Sequence, residues 1–209
     1  MKLNAMLLGL TLVLGCGDSS ADDDADGGNG GDGGANAGAA GPGAGASGPG
    51  AGASGPGAGG GASACSNGPL AAPIAGCMPT PLASTGDPHQ DCVDRINQFR
   101  WECQCLPPLQ RWTDGEACTD QQSADDQATN SAHGNFGACG ENAQNSCPNW
   151  GSETDVVNGC LQAMWDEGPG EPFEEHGHYI NMSNLGYTKV ACGFSTSAEG
   201  VWANQNFAP

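Results

Sequence analysis

The chain has 209 residues, 36 of them Gly and 11 Cys, with 24 acidic side chains against 5 basic ones and a formal charge of −19. That length suits one folded domain plus a tail better than two large domains. The charge excludes nucleic-acid binding, because phosphate contacts need Lys and Arg. Past the first few residues only Arg95, Arg100, Arg111 and Lys189 remain, too few for a basic patch.

Residues 1–16 read MKLNAMLLGLTLVLGC. Lys2 precedes an apolar run of about a dozen residues, which suits an export signal and falls short of the ~20 needed to span a bilayer as a helix. The run closes on Val13-Leu14-Gly15-Cys16, which resembles a bacterial lipoprotein signal, cut before the Cys. The expectation is a signal peptide over 1–15 and lipidation at Cys16, with the membrane as a partner through that lipid. Gly17 in place of Asp favours the outer membrane, so the expected location is the cell envelope or the exterior, lipid-anchored.

From Gly17 to Ala64 there is no aromatic residue and no Leu, Ile or Val. GPGAGAS occurs at 41–47 and again at 48–54, then decays to GPGAGGGAS. Without apolar side chains nothing offsets the entropy of ordering, so 16–64 is expected to be a disordered tether with a reach of roughly 40 Å. Asp22-x-Asp24-x-Asp26-Gly27 opens like a calcium loop, but position twelve is Gly33 instead of the required Glu, which favours a solvated acidic spacer.

Setting Cys16 aside leaves ten cysteines: 65, 77, 92, 103, 105, 118, 139, 147, 160 and 192. An even set in an exported domain of this size predicts up to five disulfides, whose pairing spacing alone does not give. No CxxC pair occurs, which weakens a zinc-site reading of these residues. Segment 65–87 is expected to be a disulfide-linked extension strapped onto the domain that follows.

Asp87-Pro88 predicts a helix start, with Cys92, Ile96, Phe99 and Cys103 on one face until Leu106-Pro107-Pro108-Leu109 ends it. Thr113-Asp114-Gly115-Glu116 has capping-box form and leads into a small-residue stripe of Ala117, Gln121, Ala124, Ala128 and Ala132. This second helix is expected to stop near His133-Gly134. A third begins at Ser152, buries Val156, Cys160, Leu161 and Met164, and stops at Gly168-Pro169-Gly170. Strands KVACGF (189–194) and VWANQNF (201–207) close the chain around a short polar loop. Helices early and strands late make the class α+β. Trp112, Trp165 and Trp202 read as core aromatics, and His89 as exposed.

LPPLQRW at 106–112, an Ala-rich helix, a His, Gly140-Glu141-Asn142, Trp165 with a nearby Glu, Gly177-His178-Tyr179-x-x-Met182, TKVACGF and VWANQNFAP follow one another in order. Together they resemble the CAP superfamily (SCP/TAPS), which includes cysteine-rich secretory proteins, antigen 5 and pathogenesis-related proteins of class 1. The resemblance covers 88–209. It implies a three-layer α-β-α sandwich with a cleft of two His and two Glu. Carried onto this chain, these are His133 and His178 as metal ligands and Glu141 and Glu167 as catalytic carboxylates. The family places its second Glu three residues after the Trp, where this chain has Gly168; Glu171 or Glu174 can substitute for Glu167.

Two neutral imidazoles suit Zn²⁺ or another divalent ion, and an open coordination position would acidify a bound water. Without metal, a Glu as base and a His as acid can work together. A third arrangement has His133 and Glu141 hydrogen-bonded to each other, stapling helix to sheet. His176 shares a face with His178 if the segment is a strand, where it is a possible extra ligand, and diverges from it by about 200° if it is a helix. There is no GxSxG elbow and no phosphate-binding Gly loop, and every remaining Cys is better used in a disulfide. The favoured expectation is a membrane-tethered binding module with a metal-competent cleft; a metal-assisted hydrolase or peptidase and a sterol or lipid binder are the alternatives. The ligand is a protein, a peptide or a neutral lipid.

Overall fold

The computed structural model describes residues 65–66 and 68–209. The signal peptide, the Cys16 lipidation and the tether lie outside the described residues. Among the described residues no helix is long and apolar enough to cross a membrane.

Helix α1 (Pro88–Gln98) starts where Asp87 accepts the backbone N–H groups of His89 and Gln90, with Pro88 in its first turn. It runs on as a π-helical segment, Phe99–Cys103, so that Cys92, Ile96, Phe99 and Cys103 all reach the core with no exposed surface. A two-residue strand β1 (Gln110–Arg111) precedes α2 (Thr113–Thr129). Strand β2 (Ala143–Trp150) leads to a helical rod made of α3 (Glu153–Asp155), a π-helical segment (Val156–Cys160) and α4 (Leu161–Asp166). Helix α5 (Phe173–Ser183) and the hairpin β3 (Lys189–Ser197) and β4 (Gly200–Ala208) complete the domain.

The four strands form one sheet in the order β1-β3-β4-β2, with β1 parallel to β3 and the other pairs antiparallel. Helices cover both faces. Because successive strand residues point to opposite sides, β4 sends Val201, Ala203 and Phe207 into the apolar core shared with α1, α4 and α5. It sends Asn204 and Asn206 to the other side, against α2. β3 divides likewise: Cys192 reaches α1, while the backbone of Gly193 lies directly against α2.

Helix α2 departs from its expected form in three ways. Its N-cap is Trp112, whose indole has no acceptor to offer, and Glu116 accepts from Arg111 Nε (2.5 Å) and Nη2 (3.0 Å) instead of turning back to Thr113. Second, the helix ends at Thr129, since Asn130 turns left-handed at φ 49°, and His133 therefore sits in the following loop, itself at φ 65°. Third, the small-residue stripe is not the packed face. Gly115, Thr119, Gln122, Ser123, Asp126 and Gln127 are buried, while Ala117, Gln121, Ala128 and Ala132 are exposed.

What replaces an apolar seam is a hydrogen-bonded one. Asp126 Oδ2 accepts from Asn204 Nδ2 (2.9 Å), Gln122 Oε1 accepts from Asn206 Nδ2 (2.6 Å), and Ser123 Oγ donates to Gly193 O (3.1 Å). Buried amides cost little once every donor and acceptor is matched.

All ten cysteines pair: Cys65–Cys105, Cys77–Cys103, Cys92–Cys192, Cys118–Cys139 and Cys147–Cys160. Five disulfides fit an oxidising compartment outside the cytoplasm. The first two strap the segment from Cys65 across the end of α1, where Leu70 N–H donates to Gln104 O and Ile74 N–H to Cys103 O. Arg95 and Gln98 hold the same strap by donating to the carbonyls of Pro79 and Thr80.

Charge does not accumulate on the surface as a cationic patch. Arg95 and Arg100 are buried, Arg111 is bound by Asp87 and Glu116, and Lys189 lies over the Trp112 ring. Arg100 donates to the carbonyls of Pro107, Met182 and Asn184, and burial lowers its pKa to about 10. Trp165 and Trp202 are core residues, whereas Trp112 is half-buried. His89 is not freely exposed: Nε2 meets Asp120 Oδ1 at 3.0 Å and the ring stands edge-on to Phe194.

Candidate functional site

The residues carried over from the family resemblance sit around β2, the edge strand, in two separate groups. Gln144 and Asn145 are neighbours on this strand and point to opposite faces. Gln144 faces α2 and belongs to the group around His133. Asn145 faces the other layer, where its Nδ2 donates to the carbonyl of His178 (3.1 Å) and approaches Met164.

On the α2 side, His133 is exposed at the tip of a loop that Asp126 holds down. Asp126, only 1 % exposed, accepts His133 N–H (3.2 Å) and Gly134 N–H (2.9 Å) on its two oxygens. The His133 ring donates from Nδ1 to Gln144 Oε1 (2.8 Å). The orientation of that amide follows from its other end, since Gln144 Nε2 donates to Gln122 Oε1 and Asn206 Oδ1. His133 therefore keeps Nε2 as its free lone pair.

Glu141 does not bond His133. Its carboxylate, 6 % exposed, accepts Gln122 Nε2 (2.7 Å) and Gly137 N–H (2.6 Å) on one oxygen and Cys139 N–H (2.9 Å) on the other. It anchors the loop that carries His133, and the Cys118–Cys139 disulfide anchors the same loop to α2. A carboxylate engaged by three donors inside the protein is held by the fold.

On the opposite side, Glu167 and His178 are in direct contact. Glu167 Oε1 accepts from His178 Nδ1 at 2.5 Å, and Oε2 accepts the backbone N–H of His178 (3.0 Å) and of Tyr179 (3.4 Å). The His178 side chain is 37 % exposed and that of Glu167 24 %. With Nδ1 held by the carboxylate, Nε2 of His178 is left as an acceptor with no partner among the described residues. Glu171 and Glu174 are exposed, and among the described residues neither side chain hydrogen-bonds to this pair.

Segment 173–183 is a helix, which separates His176 from His178. His176 Nδ1 donates to the carbonyls of Glu167 (2.8 Å) and Gly168 (2.9 Å) at the end of α4. Its Nε2 lies so close to Gly170 that a Cβ there would come within 2.3 Å. Its Nδ1 is therefore spent on backbone carbonyls.

These placements test the fit of a metal. Among the described residues no three His, Cys, Asp or Glu side chains group as metal ligands. The two imidazoles belong to different layers, Glu141 is consumed by the loop and Glu167 by His178. A zinc site needs three or four protein ligands, and these side chains do not come together as such a set among the described residues.

No family model matches the chain, and no curated protein matches it. Among solved structures, one described as the structure of BmVAL-1 is similar over 64 % of this chain and 81 % of that one, at 15 % identity and a TM-score of 0.45.

Sequence reasoning missed the residues that hold the site in place: Asp126, Gln122, Gln144, Asn145, Asn204 and Asn206. The available signal was the density of amides in GENAQNS and VWANQNF, and the pairing of Gln144 with Asn206 and of Ser146 with Asn204 puts Gln144 on the same face as Asn204 and Asn206.

Proposed function

We propose that this protein is an exported binding module of the CAP type, and that its ligand is recognised through the free Nε2 atom of His178 by hydrogen bonding, without a metal ion. The family motifs from LPPLQRW to VWANQNFAP support the module, and the five disulfides support its export. One observation carries the site: a half-exposed imidazole whose Nδ1 is tied to a carboxylate that backbone N–H groups tie in turn. Such a chain of bonds holds the ring orientation and directs Nε2 outward from the pair. The same pair has the make-up of a general base, but among the described residues no Ser, Thr or Cys side chain hydrogen-bonds to Nε2, which favours binding over covalent catalysis.

The test is a peptide and glycan array probed with the full-length protein. A ligand found there is expected to lose tenfold or more of its affinity with His178→Ala and to be indifferent to a chelator. Saturable Zn²⁺ uptake lost in His133→Ala/His178→Ala would restore the metal reading. Chelator-insensitive turnover lost in His178→Ala would make the protein a hydrolase instead.

A further inference from the structure

Glu167 lies at a corner. The helical rod ending in α4 stops at Asp166, and Gly168 turns left-handed at φ 63°. A carboxylate at such an exit is free to swing with the loop unless something holds the backbone beneath it, and the last carbonyls of a helix lack intrahelical partners.

We infer that His176 is a positioning residue for the Glu167–His178 pair. Its Nδ1–H is shared between the carbonyls of Glu167 and Gly168, at 2.8 and 2.9 Å, which closes the end of α4 from the side of α5. Cationic or donor side chains at a helix C-terminus serve its orphan carbonyls in this way. Two residues further along α5, His178 takes the carboxylate of the same Glu167. One helix thus grips one acid twice, at the backbone through His176 and at the side chain through His178. Gly170 completes the arrangement: with no Cβ, it lets the His176 ring lie against the chain, where Ala would put a carbon 2.3 Å from Nε2. The pair's geometry is set from His176, which does not itself face the ligand side.

The inference concerns the pair proposed above as the binding site, but its readout does not depend on any ligand. In the full-length protein, imidazole ¹⁵N chemical shifts report which nitrogen of His178 carries the proton. The wild type is expected to hold His178 as the Nδ1–H tautomer. His176→Phe, which removes the donor, and Gly170→Ala, which displaces the ring, should each raise the other tautomer about tenfold, the equivalent of weakening one bond to a charged acceptor. His176→Asn, whose amide can donate to the same carbonyls, should restore the wild-type ratio. A wild-type tautomer ratio in both His176→Phe and Gly170→Ala overturns the inference, even if both lower the melting temperature, because a merely structural role would do only that. Failure to find a His178-dependent ligand would sink the binding proposal and leave this result standing.

Discussion

Replacing Gly193 by Ala drives a methyl group into the backbone of α2. The added Cβ would sit 2.3 Å from the carbonyl carbon of Thr119 and 2.5 Å from both Thr119 O and Asp120 N. That is roughly 1 Å short of a normal carbon contact at about 3.5 Å, and backbone atoms cannot rotate out of the way. Either β3 or the whole of α2 must retreat. Overpacking of this kind costs about 1–3 kcal/mol by itself. The retreat also stretches bonds that cross the seam: the buried ones from Ser123 Oγ to Gly193 O and from Asn204 Nδ2 to Asp126 Oδ2, and the half-buried one from Phe194 N–H to Asp120 Oδ1 (2.8 Å). Losing two of them adds about 1 kcal/mol each. The expected total is about 3–5 kcal/mol, which for a domain of this size lowers the melting temperature by roughly 10 °C. Calorimetry on the oxidised protein measures it. A shift below about 2 °C would refute the claim that α2 is docked at a fixed distance by a matched polar seam.

Arg100→Met leaves the carbonyls of Pro107, Met182 and Asn184 without their donor inside the protein, and should cost about 2–4 kcal/mol in urea unfolding even though Met fills much of the space. A fall smaller than about 1 kcal/mol would show that water or another donor replaces the guanidinium. Acid should also loosen the start of α1. Burial pushes the Asp87 carboxyl up, but its bonds from Arg111, Gln90 and His89 outweigh that and hold it below the usual carboxylate range; Asp91 is likewise held low by Ser84 and Thr85 in spite of burial. Carboxylates whose values fall on folding contribute stability above the unfolded carboxylate range and lose it as the pH drops through their lowered folded values. Melting temperatures taken from neutral to strongly acid pH should therefore decline more shallowly for Asp87→Asn/Asp91→Asn than for wild type.

Much of the apolar half of the domain was legible in the sequence. The face of Cys92, Ile96, Phe99 and Cys103, the start at Ser152 with Val156, Cys160, Leu161 and Met164 buried, and the closing hairpin all follow from hydrophobic spacing, and the apolar layer is built on that spacing. The polar half was not, because periodicity reads hydrophobicity and α2 buries its amides. Ala117 and Ala128, the usual sign of a packed stripe, face water, while Gln122 and Asp126 face the sheet. Strand β2 was missed for a related reason: AQNSCPNW has no β-branched residue and contains Pro148, which an edge strand tolerates. Of the site, Glu167 and His178 were both named from sequence, one as a carboxylate and one as a metal ligand, and the structure joins them by a hydrogen bond. That His133 and His178 bond side chains on opposite faces of β2 was invisible until that strand was placed.

The unequal faces of the sheet bear on how the protein answers to temperature. Unfolding exposes hydrocarbon from the layer of α1, α4 and α5, which raises the heat capacity, but amide and carboxylate surface from the seam under α2, which lowers it. The two contributions oppose each other across a single sheet. The stability curve of this domain is accordingly flatter than one built on two apolar layers would give, with a slower loss of stability toward the cold.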